Sequence, residues 1–445
     1  MKIAAAPLVL IAVVLGCGAP RPAAGPADGG ARDAAAPDAA APFDAPAPAA
    51  DAADGATVTR LEYVFPDGWL YAYDLGAVAA ASPGQRLDPV KKVALPTAAG
   101  VRGVAVDVAG AKLYLSYGGD GTASCDHGRG SLLQVDLRTD AVTWTRTYDH
   151  GVDGLAVTPD GTRLYVPSGE CAGDGVWYVA SPTDGADHGT IDTCAFVSPA
   201  ACAHGPHNTI VSLDGAHVYL GNRDIDGAGN DRLFVADTAT NAVTRAVGPF
   251  KSGLRPFTIN GAETLVYMTV SCLIGFQVGD LATGQVVATV DLTAMGFTNP
   301  GCSQPHLTAP SHGISLSPDE RELFVIDAPN DTVHVFDVSG ARARAPVKVA
   351  DLRLSGSMSG DECVDHPGVA CACAYDCQRF GWLQHSIDGR YLFVGDSGDV
   401  IDTVKRQTVA AFPAMADSRK MVEIDFQSGR PLASSQRSTV GHVTR

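Results

Sequence analysis

A unit of short β-strands recurs six times along this chain. In each copy an apolar strand ends in a tight turn, as in "LAVTPDG" from residue 155, and a strand centred on an aromatic residue follows at once. A third strand, a second turn such as "LATGQ" and a fourth strand complete the copy. Strands joined by such short turns predict an antiparallel four-stranded sheet. The central aromatic residues are Tyr114, Tyr165, Tyr219, Tyr267, Phe324 and Phe393.

The spacing of these aromatic residues indicates how the copies assemble. By subtraction they are 51, 54, 48, 57 and 69 residues apart, and a period of about 40–50 residues with four strands is typical of propeller blades. One sheet cannot bury both of its faces, so the copies must pack side by side around an axis. Further strands are predicted before the first copy, in "RLEYVFPDGWLYAYDL" and "PVKKVALP", and after the last, in "KMVEIDF" and "RPLASS". The sequence therefore predicts an all-β domain over residues 58–445, a β-propeller of seven four-stranded blades closed by strands from both termini, with six or eight blades as the alternatives.

The N-terminus predicts export. Ile3–Leu15 is an apolar run that is too short to span a membrane but is typical of a signal-peptide core. It ends in "VLGC", which resembles the lipobox at which bacterial lipoproteins are cleaved and acylated, so residues 1–17 are predicted to be a lipoprotein signal peptide with Cys17 as the lipidated residue. An ordinary secretory signal with a chance cysteine is the alternative. The lipobox predicts a lipid-anchored protein of the bacterial cell envelope, in the periplasm or at the outer membrane or cell surface.

Residues 18–57 are almost entirely Ala, Pro, Asp and Gly. Such a segment cannot bury a core, and it is predicted to be a disordered tether between the lipid and the domain. The formal net charge of the chain is -17. Nucleic-acid binding proteins carry clustered Lys and Arg, so nucleic acid is not an expected partner.

Ten cysteines remain besides Cys17, an even number that predicts disulfide bonds in an exported protein. Cys194 and Cys202 bracket a short loop and are predicted to pair. Cys125 with Cys171, and Cys272 with Cys302, lie in neighbouring loops of one propeller face and are the other predicted pairs. Two further bridges, or a metal site that includes His366, are the alternatives for a C-terminal cluster. Its members are Cys363, Cys371, Cys373 and Cys377.

The repeat resembles a known family. The pattern "SPDG-x-x-LYV", followed by "V-x-V-x-D" and a Thr-Gly turn, is similar to that of the YVTN-repeat β-propellers of bacterial surface and periplasmic proteins, over residues 58 to about 430. The segments "GPHNT" and "PSHGISLSPDE" also resemble lactonase-type propellers, but no complete catalytic motif of that group is present. The resemblance implies the fold. It does not fix a function, because such propellers serve as binding modules, scaffolds and enzymes.

The long insertions all fall on one predicted face of the propeller, including residues 192–208, 296–313 and 357–381. Long loops on one face of a rigid scaffold usually mark its functional side. The residue 12 positions before each central aromatic lies where the inner strand begins, beside the central channel. Five of these six residues are polar, and polar side chains that converge from several blades predict a ligand site. The candidate ligand-binding residues are these five, Arg102, Asp153, His207, Arg255 and His312, together with His204 and His306 on the loops just upstream.

The first functional interpretation is therefore a binding or scaffold module that takes a small molecule or protein partner on its loop-bearing face. One alternative is a copper or zinc site formed by the histidines, since imidazole suits both metals. Another is lactonase-like hydrolysis, with Asp153 or a histidine as the base and Arg102 or Arg255 stabilising the oxyanion. A histidine in this position can also be purely structural, capping a strand through a hydrogen bond to a neighbouring blade.

Overall fold

A computed structural model of the chain describes residues 57–96, 100–117, 129–149, 151–169, 172, 174–197, 205–223, 231–299, 301, 309–356, 358 and 379–435. This part of the chain is almost entirely β-structure, with one short helix, α1 (Leu75–Ala80), and 3-10 turns at Leu292–Met295, Ala328–Asn330 and Pro413–Asp417. None of its helices has the length and apolar character of a membrane span.

The strands follow one another in chain order with short connections. The strands before the first repeat copy are β1 (Val58–Val64), β2 (Trp69–Asp74), β3 (Gln85–Arg86) and β4 (Lys91–Ala94). Those of the first three copies are β5 (Val101–Asp107), β6 (Lys112–Tyr117), β7 (Ser131–Asp136), β8 (Ala141–Thr147), β9 (Ala156–Val157), β10 (Leu164–Pro167), β11 (Val176–Ala180), β12 (Asp187–Asp192), β13 (Pro206–Val211), β14 (His217–Asn222), β15 (Leu233–Asp237) and β16 (Ala242–Val247). Those of the next three copies are β17 (Leu254–Ile259), β18 (Leu265–Val270), β19 (Gly275–Asp280), β20 (Gln285–Asp291), β21 (Ile314–Leu316), β22 (Glu322–Asp327), β23 (Thr332–Asp337), β24 (Val347–Arg353), β25 (Trp382–His385), β26 (Tyr391–Gly395), β27 (Asp399–Asp402) and β28 (Gln407–Ala411). The C-terminal strands are β29 (Met421–Gln427) and β30 (Arg430–Ser434).

Each repeat copy forms one antiparallel four-stranded sheet, which confirms the predicted unit. Blades 1 to 6 are β5–β8, β9–β12, β13–β16, β17–β20, β21–β24 and β25–β28, and each runs from an inner to an outer strand in chain order. The short strand β3 pairs in parallel with the outer strand of blade 6. A seventh sheet, here called the closing blade, has the order β30-β29-β1-β2-β4. The protein is a seven-bladed β-propeller.

The apolar core is divided among the interfaces between blades. Seven clusters of buried side chains occur in the described residues, and each joins two neighbouring blades. In each blade the central aromatic of the second strand packs into the cluster shared with the next blade, as Tyr165 does against blade 3. Seven interfaces for seven blades mean that the ring is closed, because each blade covers both of its faces with a neighbour.

The Ser/Thr-x-Asp sequences that recur in the repeat form tight turns held by side-chain hydrogen bonds. In four of them the hydroxyl donates to the aspartate two residues later, for example Thr158 to Asp160 at 2.5 Å and Ser212 to Asp214 at 2.6 Å. The same aspartate accepts a backbone N–H beyond the turn. Such local side-chain bonds fix a tight turn and keep this face of the propeller compact.

The ring closes where β1 pairs with β29 over seven residue pairs, from Val58 opposite Gln427 to Val64 opposite Met421. The C-terminal strand β29 is the inner strand that the N-terminal strands lack, and β30 lies on its axis side. Closure by strands from both termini was predicted from the sequence and is confirmed. It also makes Glu62 and Glu423 direct cross-strand partners, and both carboxyl groups are fully buried.

Candidate functional site

The pairing register defines one equivalent position in every blade. It lies three residues before the inner-strand residue that is opposite the central aromatic; in blade 3, Ile210 is opposite Tyr219, which gives His207. In the closing blade, Val422 is opposite Tyr63, which gives Arg419. We call these seven residues the mouth ring, because each immediately precedes or begins an inner strand on the side that carries the long loops. Its members are Arg102, Asp153, His207, Arg255, His312, Gly381 and Arg419.

One side of the mouth ring is a chain of polar contacts from blade 1 to blade 3. Arg102 Nη2 donates to Asp153 Oδ2 at 2.9 Å, and Asp153 Oδ1 accepts the backbone N–H of Gly154 at 2.8 Å. His207 Nε2 lies 3.6 Å from Asp153 Oδ2. The side-chain amide nitrogen of Asn208 donates to His207 Nδ1 at 2.7 Å. A neutral His207 ring therefore carries its proton on Nε2, which faces the Asp153 carboxylate.

The ring continues across the channel to His312. The centroids of His207 and His312 are 6.4 Å apart, so the two histidines meet rather than point into separate blades. His312 Nδ1 donates to the carbonyl of Gly381 at 3.1 Å. Gly381 has a φ of +81°, and a Cβ there would lie 2.2 Å from Ile326 Cδ1. The sixth position of the ring must therefore be glycine, both for its backbone conformation and for the close approach of blade 5.

The side of the ring nearest the C-terminus is cationic and aromatic. Arg419 Nε donates to Asp396 Oδ2 at 3.1 Å, and its guanidinium lies 4.7 Å from the Phe380 ring centroid. Next to it, Lys420 Nζ lies 3.2 Å from the centroid of Trp382. Aromatic faces of this kind stabilise cations that have lost water. His312 packs against the same two aromatic residues, with ring centroids 5.6 and 5.9 Å away.

Burial and neighbouring positive charge keep His312 neutral. Desolvation lowers its pKa well below the usual value, and Arg419, Arg255, His207 and Lys420 lower it further. Its proton is on Nδ1, so Nε2 carries a lone pair. The pKa of Lys420 falls to about 7, chiefly through desolvation, with Arg102 and Arg419 adding to that effect while Asp153 and Asp396 oppose it. The mouth ring thus gathers cations in the middle of an acidic protein.

A cavity of about 70 Å³ lies in the channel directly below the mouth ring. Residues that follow the ring positions line it, among them Gly103, Gly154 and Asn208, together with Trp382 and Lys420. Deeper in the channel its wall becomes apolar. A space of this size holds a few water molecules or a ligand of a few heavy atoms.

Comparison with known proteins bears on the fold. The solved structure of hydrazine synthase from Kuenenia stuttgartiensis is similar, with a TM-score of 0.55 and 15% sequence identity, over 76% of this chain and 90% of that chain. At that identity the likeness shows the propeller fold alone. No protein-family model matches the chain, and no curated protein is significantly similar to it.

The structure brings five of the seven predicted ligand-binding residues together. Arg102, Asp153, His207 and His312 form the contacts above, and Arg255 donates from Nε to Ser271 Oγ at 2.9 Å while its charge acts on His312. The other two predicted residues, His204 and His306, lie outside the described residues. Within the described part of the chain, no group of three or more His, Cys, Asp or Glu side chains is arranged to hold a metal ion.

The cysteine predictions fall mostly on residues that are not described. Cys194 and Cys272 each form a disulfide bond, but their predicted partners, Cys202 and Cys302, are outside the described residues, so both pairings stay predictions. The same holds for the remaining predicted disulfide cysteines and for the lipidated one. They are Cys17, Cys125, Cys171, Cys363, Cys371, Cys373 and Cys377.

Sequence reasoning missed Arg419 and Lys420. Counting back 12 residues from an aromatic works only when the inner and second strands are consecutive in the chain, and in the closing blade they come from opposite termini. The available signal was the predicted strand "KMVEIDF", which begins at Lys420. Trp382 both packs between blades and lines the cavity beside Lys420.

Proposed function

We propose that this protein is an exported binding module that takes a small carboxylate-bearing molecule at the mouth of its central channel. The observation that carries the proposal is the clustering of Arg102, Arg255 and Arg419 in the mouth ring next to Lys420, which lines the small cavity below. Two carboxylates, Asp153 and Asp396, lie among these four cations. Among the described residues of the channel mouth, the three arginines outnumber the two carboxylates, and this excess of positive charge favours an anion as the ligand.

The chemistry of the residues favours a carboxylate. Guanidinium groups present paired N–H donors that match the two oxygens of a carboxylate, and the interaction strengthens where water is excluded. Arg102 and Arg255 belong to blades 1 and 4, so a ligand in the channel is within reach of donors from two sides. The apolar wall below favours a short hydrocarbon end on the ligand, and the cavity volume limits it to a few carbon atoms.

The export part of the proposal is supported by the lipobox-like "VLGC", by the Ala/Pro/Asp-rich segment after it and by the resemblance to YVTN-repeat propellers. In this proposal Cys17 anchors the domain to a membrane of the bacterial envelope, and residues 18–57 hold it away from the lipid. The loop-bearing face, where the channel mouth opens, then points to the ligand or to a protein partner.

The test is calorimetric titration of the purified mature protein with lactate, acetate and a neutral amide of lactate. We expect lactate to bind and the amide not to bind. Replacing Arg255 with Gln should weaken lactate binding by roughly 10- to 100-fold, because a hydrogen bond to a charged group contributes about 1.5–3 kcal/mol. The matched control is Arg138→Gln at a half-exposed arginine on an outer turn, which should leave the affinity unchanged.

A second variant separates binding from folding. His207→Ala combined with His312→Ala should abolish lactate binding while the unfolding midpoint stays close to that of the wild type. If the pair instead lowers the free energy of unfolding by more than about 2 kcal/mol, the two histidines are structural. Equal binding of lactate and its amide would refute the anion site.

A further inference from the structure

Lys420 is the buried lysine of the described chain, and it lies at the edge of the channel cavity. Other described lysines, such as Lys348, have ordinary surface environments: Lys348 Nζ is 2.8 Å from Asp351 Oδ2 and 4.5 Å from the Phe297 ring centroid on an outer strand. Both lysines contact an aromatic ring, so this contact does not distinguish them. Lys420 differs because its side chain is buried in the channel and lies beside Arg102 and Arg419.

These surroundings favour the neutral amine. Burial removes water from Nζ, and the guanidinium groups of Arg102 and Arg419 repel a proton on it, while Asp153 and Asp396 attract one. The pKa of about 7 is the consequence. A desolvated lysine beside another cationic group is the arrangement that makes an amine nucleophilic near neutral pH.

We propose that Lys420 forms a reversible imine with the carbonyl carbon of a small 2-oxo carboxylic acid whose carboxylate is held by the arginines of the mouth ring. This inference deepens the proposed function and rests on it. The amine nitrogen bonds to the carbonyl carbon, and one N–H proton moves to the carbonyl oxygen to give a carbinolamine. The hydroxyl then leaves with the second N–H proton as water, and the C=N bond forms. No oxidant, reductant or other reactant is required.

The geometry selects the ligand class in two respects. In a 2-oxo acid the carboxylate is bonded directly to the reacting carbonyl carbon, so the cation that holds it must lie close to the amine. Arg102 and Arg419 are the cations whose charges act on Lys420. The cavity of about 70 Å³ restricts the remainder to the size of glyoxylate or pyruvate. A carbonyl compound without a carboxylate lacks the anchor and should react more slowly.

The experiment is reductive trapping of the mature protein. Pyruvate or propanal is added with cyanoborohydride, which reduces an imine to a stable amine, and the modified lysine is located by peptide mass spectrometry. We expect one pyruvate adduct, on Lys420, formed at least 10-fold faster than the propanal adduct. Lys420→Arg, which has no nucleophilic primary amine, should abolish trapping, while lactate binding is read on the wild-type protein. Lys348→Arg is the matched control and should be trapped like the wild type.

The outcomes separate the two proposals. If lactate binds but pyruvate is not trapped on Lys420, or is trapped equally in Lys420→Arg, the imine is wrong and the anion site stands. If lactate does not bind, while pyruvate and propanal are trapped on Lys420 at equal rates, the anion site is wrong and Lys420 is only a reactive amine. Adducts spread evenly over surface lysines would overturn the imine inference.

Discussion

Glu62 lies opposite Glu423 in the strand pair that closes the ring, and neither side chain reaches solvent. Glu423 has partners, since its carboxylate accepts from Arg60 Nε at 2.9 Å and from the backbone N–H of Ile387 at 2.5 Å. Both oxygens of Glu62 are buried without a hydrogen-bond partner among the described residues. Arg60 pairs with Glu423, Asp388 and Asp425, whereas Glu62 has no hydrogen-bonding partner among the described residues.

The electrostatic consequence is that Glu62 retains its proton beside the ion-paired Glu423. Desolvation raises the pKa of Glu62 well above 4.5, and the nearby Glu423 raises it further, while Arg60 opposes both effects. Desolvation likewise raises the pKa of Glu423, to about 8. The folded protein thus binds protons that the unfolded chain releases near pH 4.5. Stability from a group whose folded-state pKa is raised in this way is complete below pH 4.5 and is lost as the pH rises through the folded-state pKa.

The magnitude follows from linkage. Each carboxyl that stays protonated in the folded state lowers the free energy of unfolding by about 1.4 kcal/mol per pH unit between its unfolded and folded pKa values. For a folded unit of more than 250 residues, the loss over one such pH unit corresponds to roughly 1–3 °C in Tm.

Glu62→Gln removes the titrating proton and retains the shape of the side chain. We expect the loss of stability as the pH rises above 4.5, measured by urea unfolding at each pH, to be smaller in the variant than in the wild type by about 1.4 kcal/mol for each pH unit over which only the folded state holds the Glu62 proton. The control is Glu322→Gln, at a partly exposed carboxylate paired with Arg406, which should show the wild-type dependence. If Glu62→Gln and the wild type lose stability in parallel, Glu62 is not protonated and the reasoning is refuted.

Four further predictions concern the ring, the core and the export signal. Gly381→Ala should lower the free energy of unfolding by more than about 2 kcal/mol in urea titration, because the added methyl collides with blade 5 at a positive φ; an unchanged midpoint would contradict the ring geometry. Ile424→Ala, at a fully buried position between the closing blade and blade 1, should cost about 2–5 kcal/mol, whereas Val349→Ala on an exposed edge should cost less than about 0.5 kcal/mol. Cys17→Ser should abolish labelling with a radioactive fatty acid and release the protein in soluble form, and persistent labelling would disprove the lipobox. Thiol titration of the denatured mature protein should find few or no free cysteines; four reactive thiols at Cys363, Cys371, Cys373 and Cys377 would instead favour a metal site there.

The local pattern of the sequence was enough to predict the blades. Alternating strands, Asp-containing turns and one central aromatic per copy are all set by residues close together in the chain, such as Thr158 and Asp160 in one turn. Because each blade is a meander, its pairing partners are consecutive, and counting along the chain locates equivalent positions. Arg102, Asp153, His207, Arg255 and His312 were found in this way, and the structure places them in one ring.

Counting along the chain missed the residues and pKa values that depend on contacts between the two ends of the chain. Arg419 joins the mouth ring, and Lys420 the cavity beside it, only because β29 completes a blade whose other strands begin at residue 58. The same pairing buries Glu62 against Glu423, although nothing in "RLEYVF" distinguishes its glutamate from a surface residue. Burial and the charges of residues distant in sequence determine a pKa, so the neutral His312 and the low pKa of Lys420 are properties of the closed ring and not of any segment of it.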